Sequence, residues 1–439
     1  LASRRMSEIV SSHSQLFVAA ENAKLLYAQR RSRDAIKRLW MLKSQVLAAA
    51  GVSVMPPTST HNRASVSVFL KLAKWLETDR HALAATGESP HDSLLHELAA
   101  LTSTELDATT TSSIEQLAGR CLLEATQFND KAAAAWLAYG SWAYRQGQRG
   151  LDAIQSRSQQ VVLSLDEAAR LQAVLSSCAG APDPLDDETL TTVRKLVSRF
   201  HIDDSSSSSE VSQADEVREA VLAQLSVAVP WLDGQGREQL LEIWKSARAR
   251  ALQPYALATQ CYTTYLSVVG AAATTTTTAT AGSNRIEQGK GDDITTATLR
   301  VLRLLVKHGH DLRQWLEAGL QRTPAAPWQH IIPQLFSRLG HPEPFVAKQV
   351  LRLICRLGRE FPYAVAYPAV VACSAQPVAM ATIAAVAAAA AASSSSSSSS
   401  SKASGSTLTA ATAADGLLRQ QSQVIVSELR EHSSRFMDE

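Results

Sequence analysis

The stretch Trp328-Gln-His-Ile-Ile-Pro333-Gln-Leu-Phe-Ser-Arg-Leu-Gly-His341-Pro-Glu-Pro344-Phe, running on through Arg352-Leu-Ile-Cys355-Arg-Leu to Tyr367-Pro368, decides the fold. Prolines and glycine cut it into short helices, because proline lacks the backbone N–H that a helix interior needs and glycine loses the most freedom on ordering. Each piece keeps an apolar face: Ile331, Ile332, Leu335, Phe336 and Leu339, then Phe345, Val346, Val350, Leu353, Ile354 and Leu357. Three- and four-residue steps are the period of a helix with one buried side. Two such helices, joined by His341-Pro-Glu-Pro344, cannot bury that stripe alone. The spacing therefore predicts further helices packed around them, and it points to architecture rather than chemistry.

Working outward, bulk composition narrows the class. Across 439 residues, 43 basic and 41 acidic side chains leave a net charge of +2, so the whole chain makes no electrostatic case for nucleic-acid or membrane-surface binding. Five cysteines (Cys121, Cys178, Cys261, Cys355 and Cys373) are widely spaced and never form C-x-x-C, which speaks against a disulfide framework or a zinc site. No asparagine stands in an N-x-[ST] pattern, and the first twenty residues lack a signal-peptide core, so a reducing, cytoplasmic setting, possible also in the nucleus, is expected. The charge-free run between Glu360 and Lys402 is long enough to cross a bilayer. It is mostly alanine and is broken by Pro368, Gln376 and Pro377, so it reads as a buried helix followed by a low-complexity tail. A chain that begins at Leu1 and stops within a helical pattern reads as part of something larger.

The remaining segments repeat the helical period. Residues 14–50 read as two helices around the basic turn Arg30-Arg-Ser-Arg33, the second opening Asp34-Ala-Ile36. After Met55-Pro-Pro57, a third helix carries Val66, Phe69, Leu70, Ala73, Trp75 and Leu76, followed by a softer region over 81–113 with a short cluster at Leu94-Leu-His-Glu-Leu98. Residues 114–127 are helical again, and Asn129-Asp130 is placed to cap a helix over 131–146. There, Trp136-Leu-Ala-Tyr-Gly140-Ser-Trp142-Ala-Tyr144 is similar to a tetratricopeptide pattern, with Gly140 allowing close approach beside Trp136 and Tyr144. A turn at Gly147/Gly150 then leads to Leu151-Asp-Ala-Ile154, an echo of Asp34-Ala-Ile36.

Beyond the hinge-like Ala181-Pro-Asp-Pro184, helices are predicted over 189–200, 214–229, 236–251 and 254–269. Serine- and threonine-rich insertions at 203–209 and 271–293 interrupt them. Residues 295–320 form one helix or a close pair, with Leu299, Leu302, Leu305, Val306, Leu312, Trp315 and Leu316 inside. With no β alternation anywhere, the fold class is all-α: an α-solenoid of tetratricopeptide-like then HEAT-like helical pairs, with low-complexity loop insertions. The expected divisions are 1–180 and 185–270 (helical repeats), 271–294 (insertion), 295–380 (HEAT-like pairs), 381–414 (alanine/serine linker) and 415–439 (a final helix).

Chemistry-bearing motifs are scarce. Phosphate-binding glycine loops, nucleophile elbows and Cys/His pairs are not recognisable. His308-Gly-His310-Asp311 is the cluster that invites a metal or a catalytic loop. Two histidines two apart on a helix point to nearly opposite sides, and no downstream Asn or D-F-G follows, so it reads as a solvated helix end. Arg300, Arg303, Lys307 and His310 share one stripe of the same helix, open either to an anion or acidic partner or simply to water. No catalytic or metal residue is assigned.

The succession Ala297-Thr-Leu-Arg-Val-Leu-Arg-Leu-Leu-Val-Lys-His308, Glu317-Ala-Gly-Leu320, Pro327-Trp-Gln-His-Ile-Ile-Pro-Gln-Leu-Phe-Ser-Arg-Leu339, His341-Pro-Glu-Pro-Phe-Val346 and Tyr367-Pro-Ala369 resembles the FAT region of phosphatidylinositol 3-kinase-related protein kinases, in the branch acting in nonsense-mediated mRNA decay. Glu238…Leu241-Glu-Ile-Trp244 and Gln423-Val-Ile-Val-Ser-Glu-Leu-Arg430 fit the same family. The resemblance implies a helical scaffold that clasps a kinase domain lying outside this chain, where ATP and magnesium would bind. It implies as partners that kinase domain and regulatory subunits of the decay-kinase complex, with no direct nucleic acid and no membrane. It also implies inositol hexakisphosphate on basic residues, which the sequence does not match position by position. A free-standing helical-repeat adaptor is the competing expectation.

Overall fold

The computed structural model describes residues 2–52, 59–79, 111–156, 160–177, 187–199, 213–275, 284–374 and 403–432. Among these residues the chain is all-α; pairing of the β type is confined to an isolated bridge between Gln160 and Arg199. The helices fall into two compact units, Leu1–Tyr144 and Arg145–Glu439.

In the first unit, α1 (Ala2–Ala28), α2 (Ser32–Val52), α3 (Ser59–Thr78) and α4 (Thr111–Phe128) pack each against the next. The expected basic turn has a specific mechanism. Arg30 takes a left-handed φ of 62° while its N–H donates to the Tyr27 carbonyl and the N–H of Arg31 to that of Leu26. This is a Schellman stop, which satisfies carbonyls that the helix end would otherwise leave open. The end of α1 is then pinned to the end of α3: Tyr27 stacks on Trp75 with centroids 4.2 Å apart, and its hydroxyl reaches Asp79 at 3.3 Å. Burial and then Asp79 push the Tyr27 hydroxyl pKa up. Phe69 and Leu72 are buried, and Phe69 meets Phe128 of α4 at 5.8 Å. Lys43 of α2, 3 % exposed, sits 2.7 Å from Glu124 of α4 and lies over the Trp40 ring, so a charge taken out of water is both paired and covered.

Asn129 turns the chain into α5 (Ala133–Ser156) by accepting the Lys131 N–H at 3.1 Å, and the Trp136 indole N–H donates to the Asp130 carbonyl at 2.6 Å. Gly140 is buried, and the close approach on this helix pair is made at Gly119 of α4, where a Cβ would come within 2.4 Å of the Trp142 ring. The expected turn at Gly147/Gly150 does not exist, since α5 runs unbroken to Ser156. Asp152-Ala-Ile154 therefore lies near the end of one helix, whereas Asp34-Ala-Ile36 lies near the start of another, and the repeat equivalence fails. A helix tolerates an isolated glycine at about 1 kcal/mol when tertiary packing favours continuation. At Gly147 the packing is plain: a Cβ would meet the Tyr255 ring at 2.5 Å.

In the second unit, α6 (Leu165–Ser177), α7 (Asp187–Val197) and α8 (Gln213–Ala228) gather around the first half of a 42-residue helix, α9 (Gly234–Thr275). Leu171, Leu175, Val193, Val197, Leu225 and Leu240 form the shared core. Asp233 starts α9 by accepting the Gly236 N–H at 2.6 Å. The break expected before Pro254 is absent. Proline inside a helix costs on the order of 3 kcal/mol, and burial on both sides of the site (Leu252, Tyr255, Ala256 and Ala258) offsets it. Past the proline, Thr259 and Thr263 are buried because each hydroxyl donates to the carbonyl four residues back, both at 2.8 Å.

The second half of α9 carries α10 (Asn284–His308), α11 (Arg313–Arg322) and a 3-10 turn, Ala326–Ile331, which also packs on α10. The expected close pair over 295–320 is thus α10 and α11. The insertion expected at 271–294 contracts, because helix covers 271–275 and 284–294; only 276–283 lie outside the described residues. Leu299, expected inside, is 40 % exposed, because the buried arc of α10 runs through Ala297, Val301, Leu304, Leu305 and His308.

The opening stretch becomes the 3-10 turn, α12 (Ile332–Phe336), α13 (Pro344–Glu360) and α14 (Pro362–Ser374). All eleven apolar residues picked out above are buried. Arg356 of α13 donates to the Leu320 carbonyl at 2.7 Å and to that of Thr323, capping the C-terminal end of α11 with a cation where the helix dipole favours one. The last helix, α15 (Ala403–His432), begins before the expected residue 415 and packs back on α13 and α14. Ile425 and Leu429 are buried, Leu429 lies against Gly358, and Arg359 pairs with Glu428 at 2.9 Å.

Among the described residues no helix is long and apolar enough to cross a membrane, and most of the charge-free run, 375–402, lies outside them. The Leu94-Leu-His-Glu-Leu98 cluster, the proline hinge at 181–184, the serine run at 203–209 and Cys178 also lie outside them.

The two glycines of α5 give opposite expectations. Gly150 is exposed and a Cβ there would meet nothing within 4 Å, so Gly150→Ala should stabilise by up to about 1 kcal/mol. Gly147→Ala drives a methyl into the buried Tyr255 ring and should cost about 1–3 kcal/mol. Urea unfolding of the two variants checks the pair.

Candidate functional site

The cluster His308-Gly-His310-Asp311 is at the junction of α10 and α11, and the structure gives its members separate duties. His308 is buried and stacked on Tyr255 of α9, centroids 5.3 Å apart. A Cβ on Gly309 would meet the Leu305 carbonyl at 2.4 Å and Val346 at 3.0 Å, so only glycine fits beneath the first turn of α13. Asp311 accepts from both Nε and Nη2 of Arg248, each at 2.9 Å. His310 alone is solvent-exposed. The expectation of a solvated helix end thus holds for His310 and fails for His308 and Asp311, because α9 covers the junction. No group of three or more histidines, cysteines and carboxylates is placed to hold a metal among the described residues.

The basic stripe divides in the same way. Arg303, Lys307 and His310 are exposed, but Arg300 is half-buried and donates from Nη1 to the Tyr262 hydroxyl of α9 at 2.5 Å. Three of the four residues remain available to an anion or an acidic surface; the fourth anchors α10 to α9.

Sequence reading missed a dense polar site among the described residues, on α9 between Trp244 and Arg250. The Trp244 indole N–H donates to the Arg199 carbonyl at 2.9 Å, and the Arg248 guanidinium lies over the Trp244 ring while it holds Asp311. Arg250 donates to Glu167 at 2.6 Å and to the Val162 carbonyl at 2.7 Å, and the Ser246 hydroxyl donates to Glu167 at 3.2 Å. Glu167 is 4 % exposed. It also closes a capping box at the start of α6: its carboxylate accepts the Ser164 N–H at 2.8 Å, and its own N–H donates to the Ser164 hydroxyl at 3.2 Å. The S-x-x-E spacing of Ser164 to Glu167 was the available signal. The partners 83 and 63 residues away gave none.

Burial works to raise the Glu167 carboxyl pKa, but the hydrogen bonds from Arg250, Ser164 and Ser246 outweigh it and hold the group below the ordinary carboxylate range. Burial pushes the Cys121 and Cys261 thiols up to about 12, so neither is a ready thiolate nucleophile. The pocket lined by Cys355, Gly358, Arg359, Ile425, Glu428 and Leu429 has no interior space even for a water molecule. The buried charges described here are committed to joining helices.

Because the folded pKa of Glu167 is depressed, its contribution to stability is fully present above the unfolded value of about 4.3 and is lost as pH falls through the folded value. Glu167→Gln should lower stability at pH 7 by about 1–3 kcal/mol. It should also flatten the acid limb below about pH 4.3. Thermal melts of both proteins between pH 7 and 3 measure this; parallel acid limbs would contradict it.

No family model matches the chain. Among curated proteins it is similar to serine/threonine-protein kinase SMG1 of Danio rerio, 32% identical over 250 residues, which are 55% of this chain and 7% of the fish protein. It is similar to serine/threonine-protein kinase Smg1 of Drosophila melanogaster, 31% identical over 320 residues, 70% of this chain and 10% of the fly protein. A shorter match joins it to the target of rapamycin homolog of Caenorhabditis elegans, 39% identical over 80 residues, 17% of this chain and 3% of the worm protein. The chain therefore spans a tenth or less of the length of these relatives. It is homologous to a segment of the SMG1 serine/threonine kinases, within the phosphatidylinositol 3-kinase-related kinases.

Proposed function

We propose that this chain is a non-catalytic helical scaffold, the FAT region, of a phosphatidylinositol 3-kinase-related serine/threonine kinase acting in nonsense-mediated mRNA decay. The observation that carries the proposal is the match to the fly kinase, which takes in 70% of this chain but only 10% of the kinase. The packing described above supports it, since Lys43, Glu167 and Asp311 spend their charge on neighbouring helices. In this reading the partners are the kinase domain of the same protein and regulatory subunits of the decay-kinase complex, with no direct contact to nucleic acid or membrane. The setting is cytoplasmic and in part nuclear. ATP and magnesium belong to the kinase domain. Arg303, Lys307 and His310 are the residues on which an acidic partner or inositol hexakisphosphate would draw.

A chimera tests the proposal. The matching segment of the fly kinase is replaced by this chain, and phosphorylation of a decay-helicase peptide is measured beside a deletion of the same segment. The chimera should retain activity that the deletion loses, and this chain alone should transfer no phosphate. A chimera as inactive as the deletion, together with tight binding of extended peptides by the isolated chain, would favour a free-standing adaptor. Phosphate transfer by the chain alone would overturn the non-catalytic assignment.

A further inference from the structure

The joint between α12 and α13 holds a histidine whose protonation state the geometry dictates. The backbone N–H of Glu343, the residue that precedes the first turn of α13, donates to Nδ1 of His341 at 3.1 Å. An N–H can only donate, so Nδ1 carries a lone pair and the ring proton is on Nε2. Pro342 and Pro344 flank this contact and supply no N–H of their own. His341 is itself tied back, its N–H donating to the Arg338 carbonyl at 3.2 Å. Within this joint the imidazole is what receives the N-cap residue.

Charges of both signs act on the ring. Arg338 and Glu343 act on it from its own segment; burial followed by Arg338 holds its pKa below the ordinary histidine range, against the Glu343 carboxylate and a backbone contact at Glu343, which both pull it up. From α11, Arg313 lies 5.0 Å over the ring of Phe345, the second residue of α13. The α10–α11 junction meets α13 through Gly309 and Val346; it brings His310 and Asp311, the latter already bound to Arg248. Lys348 follows on α13 itself, while α12 and α14 carry no charged residue.

We propose that His341 is an acid-sensitive latch on α13: neutral, it accepts the Glu343 N–H and fixes the start of the helix; protonated, it loses that acceptor and places a cation at the positive end of the helix dipole. The penalty has two parts that act together, a stranded N–H and a like-signed contact with the helix terminus. The first turn of α13, including the contacts of Phe345 with Arg313 and of Val346 with Gly309, is the part that loosens.

Histidine-selective 15N labelling of the full chain reads the ring directly, and amide hydrogen exchange at Glu343 reads the latch. At pH 7.5 His341 should show an unprotonated Nδ1 and a protonated Nε2. As the ring titrates, protection at Glu343 should fall roughly tenfold beyond the intrinsic pH trend, the order expected for one lost hydrogen bond. His341→Asn, whose side-chain oxygen keeps an acceptor at every pH, should lack this step. A ring protonated on Nδ1 at pH 7.5, equal protection on both sides of the midpoint, or the same step in the Asn variant would each overturn the proposal.

Discussion

The paired guanidinium contacts of α9 are what the second unit depends on. Arg250 holds Glu167 of α6, Arg248 holds Asp311 at the α10–α11 junction, and Ser246 and Trp244 add bonds to Glu167 and to Arg199, just past α7. These four residues lie within two turns of one helix. They reach elements that precede it by about 80 residues and follow it by about 60. Without them α9 would still bury apolar surface, but its relation to the flanking helices would rest on side chains that fit more than one alignment.

The two halves of α9 solve the packing problem differently. Before Pro254 the helix offers long charged and aromatic side chains that span the gap to their partners. After it the helix sets small and hydroxyl residues among its tyrosines, so neighbours come close at Thr263 and Gly270 while Tyr255 and Tyr262 meet His308 and Arg300 of α10. A Cβ on Gly319 of α11 would be 2.7 Å from Thr263, and one on Gly270 would be 2.1 Å from Pro324. Buried threonines suit such a surface because their hydroxyls are satisfied within the helix and present only a methyl outward.

What could be read from the sequence follows from how far each cause reaches. The faces of α12 and α13 were legible because period and proline placement are local, and every apolar residue assigned to them is buried. The stop after α1 was legible as a basic turn, though Arg30 rather than a glycine occupies its left-handed position. Gly147 and Pro254 misled because both are local breakers overruled by tertiary packing: Gly147 is there to admit the Tyr255 ring, and burial around Pro254 offsets its missing N–H. Of the basic stripe, Arg300 looked like its companions, since its engagement depends on Tyr262 of another helix. The Arg248 and Arg250 pairs had no signature because nothing in a sequence marks which distant carboxylate an arginine will meet.

That distribution bears on why charged pairs are present at all. A buried ion pair is weak evidence for stability, because well-packed apolar residues of similar volume often serve as well or better. Register is a different matter. Helices that pack ridge into groove have near-equivalent alignments one turn apart, and apolar side chains distinguish them poorly. A guanidinium making two bonds to one carboxylate, as Arg248 does with Asp311, is satisfied at a single alignment and leaves a charge stranded at the others. The half-buried pairs on α9 thus select one register for the elements on both sides of it, whatever they add in free energy.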